Sequence, residues 1–429
     1  MSAPPSSAAL AGRLFALLGP DGVLSAPLGP AGPSLPLALP ESEEELRELL
    51  RLAASDQLAL VPCGLGSKLG WTAQPARADF LVSTRRLAGV VRHEPQDGTL
   101  CARAGTTMAE LRARAAAGGH WLTPDVAAPE RATLGGVISA GQSGLDRLRF
   151  GPSRHHVLGA RVMLVDGTLA KSGGQLVKNV AGFDLHRLYA GSHGALCVVL
   201  EVALRLFPAP ERELLAAEGA GDTATALARA RAALALPARI TALWLARLDP
   251  PSRGARWALY ARLGGKGEVV QAERNAITAV WPSAAWLEGD PARTELDALR
   301  DCSFEAGGAT WLHGLCRPSR LEAALNALER RLEEAALPAR LLIQPGEAVV
   351  DAGLSPEAAP GAVAGLVSSW RADLVPLGGR LELRNAPAAV LARVDPWGAV
   401  PEALEWMRRL RRALDAEGVL AAGRLAGGL

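Results

Sequence analysis

Lysine and asparagine stand side by side at Lys178-Asn179, heading the stretch Lys178-Asn179-Val180-Ala181-Gly182-Phe183-Asp184-Leu185, in a chain that holds only four of each among 429 residues. Arginine carries the generic positive charge, so a retained lysine points to work for a compact ammonium that a planar guanidinium does not do. Cys63-Gly64-Leu65-Gly66-Ser67-Lys68-Leu69-Gly70 follows the apolar run Leu58 to Val61 directly. Glycines placed there permit tight turns and let backbone N–H groups converge on an anion, as a diphosphate requires. The spacing is not that of a P-loop. Nor is it G-x-G-x-x-G, because Leu69 stands where the third glycine belongs and Gly70 comes one residue late. Thr133-Leu134-Gly135-Gly136-Val137-Ile138-Ser139-Ala140-Gly141 offers glycines against which a flat ligand can press, and small hydroxyls for its polar rim. Gly191-Ser192-His193-Gly194, leading into the apolar run Ala195 to Leu206, is the last such segment. Taken singly, each also reads as an ordinary glycine turn; their order along one short-stranded region points to one ligand site.

Other reactive residue types give less. His155-His156 are neighbours, and adjacent side chains on a strand point to opposite faces, so they do not form a two-point ligand. His313 stands alone in Trp311-Leu312-His313-Gly314 and reads as structural. The cysteines Cys63, Cys101, Cys197, Cys302 and Cys316 form no C-x-x-C, so neither a zinc site nor an iron–sulfur ligand set is legible, and no metal is expected. Their odd number fits a reducing cytoplasm. Basic and acidic side chains nearly cancel, 46 against 44, which removes any global electrostatic reason to expect nucleic acid or an anionic membrane as partner. No run approaches the roughly 18–20 apolar residues of a membrane span, and Met1 to Pro40 lacks the pattern of a secretion signal. The expectation is a cytoplasmic protein.

The elements that must position these stretches alternate helix and strand. Residues 1–40, rich in Ala, Pro, Gly and Ser, read as a flexible extension with a short helix at Ala8 to Leu18. Ser42 is an N-cap candidate before Glu43-Glu44-Glu45, with Leu46, Leu49, Leu50 and Ala53 on one helical face. Phe80 to Ser83 and Leu100 to Ala104 read as strands, and Thr107-x-x-Glu110 opens a helix that ends at Gly118-Gly119. Asp166-Gly167 between Ala160 to Val165 and Thr168 to Lys171 signals a hairpin with a type I′ turn. From about residue 211, helical segments at 222–235 and 319–335 alternate with strand candidates at 241–247, 256–263 and 340–343, which suggests a ferredoxin-like α+β domain. No long internal repeat is evident. A strand at Arg380 to Arg384 and a helix at Pro401 to Glu417 close the chain.

In order along the chain, the segments beginning at Val61-Pro62-Cys63-Gly64, Ala104-Gly105-Thr106-Thr107-Met108, Ala132-Thr133-Leu134-Gly135-Gly136-Val137, Val157-Leu158-Gly159-Ala160-Arg161, Gly173-Gly174, Lys178-Asn179 and Gly191-Ser192 resemble the FAD-binding domain of the vanillyl-alcohol-oxidase, or PCMH, type. They look most like the E-type, FAD-binding subunit of bacterial glycolate oxidase. The resemblance covers roughly residues 40–210. It implies an α+β fold: a two-subdomain PCMH-type domain over 41–210, a cap domain over 211–378 and a C-terminal segment, 379–429, returning to the FAD domain.

It further implies that Pro62, Cys63, Gly64, Leu65, Gly66, Ser67 and Lys68 wrap the FAD diphosphate, mainly through backbone amides. Thr133, Leu134, Gly135, Gly136, Ser139, Ala140 and Gly144 would lie along the ribityl chain and flavin ring. Gly194, Val198 and Val199 would line the flavin or adenine, with Lys178 and Asn179 near the flavin as candidates for catalysis, where a cation favours reduced flavin or a substrate carboxylate. The first glycine loop has no histidine, so non-covalent FAD is expected. Two departures stand out: there is no His-x-His motif of the kind that helps catalytic relatives bind metal and hydroxy acid, and Ala421-Ala422 replaces the usual Asn-Pro before Gly423-Arg424. The implied function is oxidation of a small 2-hydroxy acid, such as glycolate or D-lactate, with electrons passing to a second flavoprotein subunit and an iron–sulfur subunit. Any membrane association would come through those partners. The alternatives are an FAD-holding or assembly subunit without its own chemistry, and a free-standing oxidase of another alcohol or sugar acid.

Overall fold

The computed structural model describes residues 7–29, 32–71, 73–175, 182–248, 255–302 and 309–429. Lys178 and Asn179 lie outside the described residues. The chain divides into two units: 1–143 with 152–208 and 400–429, and 144–151 with 209–399.

The N-terminal segment is part of the first unit, not a loose extension. Helix Ser7–Leu18 buries Leu10 and Leu14 in the same core as Leu46, Leu49 and Leu50. Strands β1 (Val23–Pro27) and β2 (Ser34–Ala38) pair antiparallel and extend a parallel pair, β4 (Phe80–Ser83) and β3 (Leu60–Cys63), in the order β1-β2-β4-β3. Its apolar positions gave too little contrast with the surrounding Ala, Pro and Gly for burial to be read. Helix Glu43–Ser55 starts where expected, because Ser42 Oγ accepts from Glu45 N–H at 3.1 Å and satisfies a helix-end donor.

The second layer of this unit is an antiparallel sheet, β5 (Val90–Glu94), β6 (Thr99–Arg103), β8 (Val157–Met163), β9 (Leu169–Gly173) and β10 (Val198–Arg205), ordered β5-β6-β10-β8-β9. A two-stranded ribbon, β7 (His120–Trp121) with β11 (Phe207–Pro208), flanks it. The β8–β9 hairpin forms as the sequence signals, but its turn differs from type I′: Gly167 alone adopts positive φ, +82°, while the Asp166 carboxylate accepts from Thr168 N–H at 2.8 Å. Side-chain capping of that amide replaces the second left-handed residue. Met163, Val198 and Leu200 of the second sheet share one core with Leu60, Phe80 and Val82 of the first, so the two layers are fixed to each other. Arg161 reinforces this by binding Glu43 and, at 2.9 Å, Glu201, and its guanidinium holds the Glu43 carboxyl below the usual range.

The second unit contains an eight-stranded sheet with a duplication the sequence did not reveal. Strand β12 (Arg212–Ala220), helix Thr223–Leu234, β13 (Ile240–Arg247), β14 (Trp257–Gly265), helix Gly267–Val280 and β15 (Ala285–Leu287) form one βαββαβ module. Strand β16 (Thr310–Leu315), helix Leu321–Glu334, β17 (Ala339–Gln344), β18 (Val349–Leu354), helix Pro360–Leu374 and β19 (Arg380–Arg384) form a second. The sheet order β15-β12-β14-β13-β17-β18-β16-β19 reads 4-1-3-2 in the first module and 2-3-1-4 in the second, two ferredoxin-like sheets joined edge to edge through β13 and β17. The expected ferredoxin-like module is therefore present twice. Strand β19 belongs to this sheet, so the chain re-enters the first unit at 400 rather than at 379. The four crossover helices cover one face with Leu227, Ile277, Leu325 and Val367. On the other face Trp244, Tyr260 and Trp311 pack with Leu145 and helix Asp290–Asp301, and Trp244 Nε1 donates to Leu145 O at 3.2 Å.

Candidate functional site

Within the first unit, three chain segments converge at the C-terminal end of β3. The loop after β3 begins with Gly64, whose backbone lies so close to Thr133 that a Cβ would meet Thr133 Oγ1 at 1.9 Å. Gly64 O accepts from Ser83 Oγ at 2.6 Å, and Cys63 O from Thr84 Oγ1 at 3.4 Å, so β4 clamps the start of the loop. Gly66 takes φ of +82°, which an L side chain resists, and the following turn closes through Leu69 N to Gly66 O at 3.1 Å. Helix Leu134–Ser139 faces this loop. Thr133 caps it, accepting from Gly136 N–H at 3.3 Å, and Gly135 N–H donates to Ala104 O at 2.8 Å. The third segment, 191–199, docks on the end of that helix through Gly191 N to Ile138 O and His193 N to Ser139 O.

The result is a cleft open to solvent. Pro62, Cys63, Gly64, Leu65, Gly66, Ser67 and Lys68 line one side, Thr133, Gly135, Gly136, Ser139 and Ala140 the second, and Gly194, Val198 and Val199 the third. Two expected residues fall elsewhere. Leu134 is fully buried in the core beneath the five-stranded sheet, because the first turn of its helix points apolar side chains inward. Gly144 belongs to the other unit, where the chain leaves to carry Leu145 into the second core.

Leu69, Thr84, His193, Cys197 and Arg424 also line the cleft and were missed from sequence. Arg424 matters most. Its guanidinium donates through Nη2 to Leu69 O at 3.1 Å, Trp71 O at 3.0 Å and, at 3.4 Å, Lys68 O, so the C-terminal tail holds the glycine loop from behind. Isolated bridging of Leu60 with Leu420, and Ala421 N–H donating to Leu60 O at 2.8 Å, bring the tail to that position. The Gly423-Arg424 pair was visible as a signal, but the replaced Asn-Pro before it obscured the tail's approach to the loop.

Among the described residues the lining holds two cations, Lys68 and Arg424, one histidine, His193, and no carboxylate. Burial pushes Lys68 down to about 8 and Arg424 down to about 10. It pushes the Cys63 thiol up to about 12, so that sulfur stays protonated at neutral pH and is a poor nucleophile. Backbone amides at positive-φ glycine, small hydroxyls and positive side chains are the donor set a diphosphate needs. The residues present therefore fit FAD.

In the second unit, His313 sits on β16 with Nδ1 2.5 Å from Asp351 Oδ1, buried between β18 and β19. It is paired and buried, in keeping with the structural reading of the sequence. Burial raises Glu347 to about 7 beside Arg147. Among the described residues no group of three His, Cys, Asp or Glu is placed to hold a metal ion, and no helix is long and apolar enough to cross a membrane.

Comparison with known proteins bears on the domain that holds this cleft. Residues 35–173 match the family model for an FAD binding domain. The chain is 27% identical over 272 residues to glycolate oxidase subunit GlcD of Bacillus subtilis, covering 61% of this chain and 58% of that protein. It is 34% identical over 172 residues to glycolate oxidase subunit GlcE of Escherichia coli, covering 40% and 49%, and 31% identical over 169 residues to D-lactate dehydrogenase of Archaeoglobus fulgidus, covering 39% and 38%. The matches thus span less than two thirds of these relatives' own length. Among solved structures, substrate-bound p-cresol methylhydroxylase superposes with a TM-score of 0.75 at 15% identity over 96% of this chain and 95% of its own. Alkyldihydroxyacetonephosphate synthase gives 0.72 at 16% identity over 99% and 87%. The fold is similar to that of p-cresol methylhydroxylase, residues 35–173 match an FAD binding domain, and FAD is the cofactor.

Proposed function

We propose that this chain is an FAD-dependent oxidoreductase acting on a small 2-hydroxy acid, as the flavin-binding subunit of a glycolate-oxidase-type complex. The single observation that carries the reading is the carboxylate-free, doubly cationic glycine cleft in a domain whose relatives are named glycolate oxidase subunits and D-lactate dehydrogenase. Bound FAD supplies a two-electron acceptor for the hydrogen on the carbon that bears the substrate hydroxyl. The chain's own part is to hold the diphosphate on the 64–68 amides and Lys68, to keep that loop in place through Ser83 and Arg424, and to press the flavin against Gly135 and Gly136. Pro62, Cys63, Leu65, Thr133, Ser139, Ala140, Gly194, Val198 and Val199 complete the cofactor walls in this reading, and FAD is held without a covalent bond. Lys178 and Asn179 are proposed to lie beside the flavin. Electrons pass to a second flavoprotein and an iron–sulfur subunit.

One observation favours a second reading, in which the chain holds FAD while a sister subunit oxidises the substrate: His313, the histidine of the cap strand, is committed to Asp351. Anaerobic addition of glycolate or D-lactate to the purified, FAD-loaded chain separates the two. Loss of the oxidised flavin absorption supports the first; a flavin that stays oxidised with both acids, yet is reduced by dithionite, supports the second.

A further inference from the structure

Lys68 is one of four lysines in a chain with forty-two arginines. It reaches into the FAD cleft with Ser67 Oγ, at 3.0 Å, as its hydrogen-bond partner, and no Asp or Glu pairs with it among the described residues. The groups that face it are Cys63 from its own loop, His193 from the 191–199 segment and Arg424 from the tail, with Arg85 behind Cys63. None of them is an anion at neutral pH. A half-buried ammonium with no carboxylate beside it among the described residues is less favourable than one in water, and the protein relieves it either by releasing a proton or by receiving an anion.

Resting on the FAD reading of this cleft, we propose that Lys68 makes cofactor retention proton-linked: the diphosphate is held by a protonated Lys68, and raising pH releases FAD by neutralising that one side chain. In the free cleft burial already lowers Lys68 to about 8. A diphosphate placed beside it favours the ammonium, so complex formation raises its proton affinity. The sign follows from linkage. Below about pH 8 both free and bound forms are protonated and affinity is flat; above it the free form has lost a proton that the complex must recover, and affinity falls by about tenfold per pH unit. Arginine at the same position holds its proton throughout this range, so the residue type itself creates the sensitivity.

The test is equilibrium binding of FAD, read by quenching of flavin fluorescence, to the cofactor-stripped protein between pH 6 and 9.5, for the wild type, Lys68→Arg and Lys68→Met. His193, Arg424 and Cys63 are unchanged in all three, so their contribution cancels. Wild type is expected to weaken on the order of 30-fold from pH 7 to 9.5. Lys68→Arg should bind with little change over that interval, and Lys68→Met should bind weakly at every pH with no slope above pH 8. Circular dichroism confirms that each variant is folded across the range. A wild type whose affinity is flat to pH 9.5, or a Lys68→Met protein that keeps the wild-type slope, overturns the proposal. Failure of the folded wild type to bind FAD at any pH overturns the FAD reading itself.

Discussion

Replacing Arg424 by methionine separates the tail from the glycine loop while keeping most of its volume. The guanidinium makes two well-placed bonds, to Leu69 O and Trp71 O, and a longer one to Lys68 O. Hydrogen bonds from a charged donor contribute about 1.5–3 kcal/mol each, so two are worth roughly 3–6 kcal/mol gross. Against this stands the cost of burying the cation. Its fall from 12.5 to about 10 corresponds to roughly 3 kcal/mol. The difference leaves an expected loss of up to about 3 kcal/mol for Arg424→Met in the cofactor-free protein, measured as the shift in urea midpoint at constant slope. Loop order is part of that loss, so FAD affinity should fall about tenfold or more, the equivalent of about 1.4 kcal/mol. Arg424→Lys keeps a point charge that reaches fewer carbonyls and should fall between. An Arg424→Met protein with unchanged midpoint and FAD affinity within about twofold of wild type would refute the argument that the tail holds the loop.

Two glycine substitutions distinguish the cleft from the core behind it. Gly66→Val puts a β-branched residue at φ of +82° with only Leu69 Cδ1 near its Cβ, at 3.5 Å, so FAD retention should be lost while thermal unfolding shifts by only a few degrees. Gly135→Val meets Ala104 Cβ at 2.8 Å and Ala104 O at 3.2 Å, so it should lower the melting temperature of the cofactor-free protein as well as abolish retention. Stoichiometric flavin in both variants contradicts the placement of the site. Glu347 titrates at about 7 because burial disfavours its carboxylate. A raised carboxyl pKa stabilises the fold below the unfolded value near 4.5 and loses that contribution as pH rises through 7. Glu347→Gln should therefore match wild type at pH 4 and be more stable at pH 8.5 by about 3 kcal/mol, in chemical denaturation at both pH values.

What the sequence disclosed and what it hid divide along contact range. Ser42, Thr107 and the hairpin at Asp166-Gly167 act on residues two or three positions away, and each element they announce is present. The glycine stretches were legible for a related reason: Gly64, Gly66 and Gly135 are conspicuous in their own loops, whichever partner later packs on them. Arg424 was hidden because its partners lie more than 350 residues upstream, and one arginine in a chain rich in them carries no local mark. The doubled βαββαβ module was hidden differently. Its two halves share strand order and crossover positions, and both contribute apolar residues to one core. Packing conserves apolar volume and periodicity, not residue identity, so the repeat exists in the backbone path alone.

The scarcity of lysine is the feature that joins the two scales. Where arginine supplies surface charge, ion pairs such as Arg161 with Glu43 and Arg331 with Asp373 use its fork to bind both oxygens of a carboxylate. Lys68 has no such carboxylate and gains nothing from a fork. It lines the cleft as a compact ammonium, and burial gives it a property no arginine has near neutral pH, the ability to lose its proton when the anion leaves. The titration therefore falls on a lysine of the cleft, in a chain whose other cations are almost all arginine.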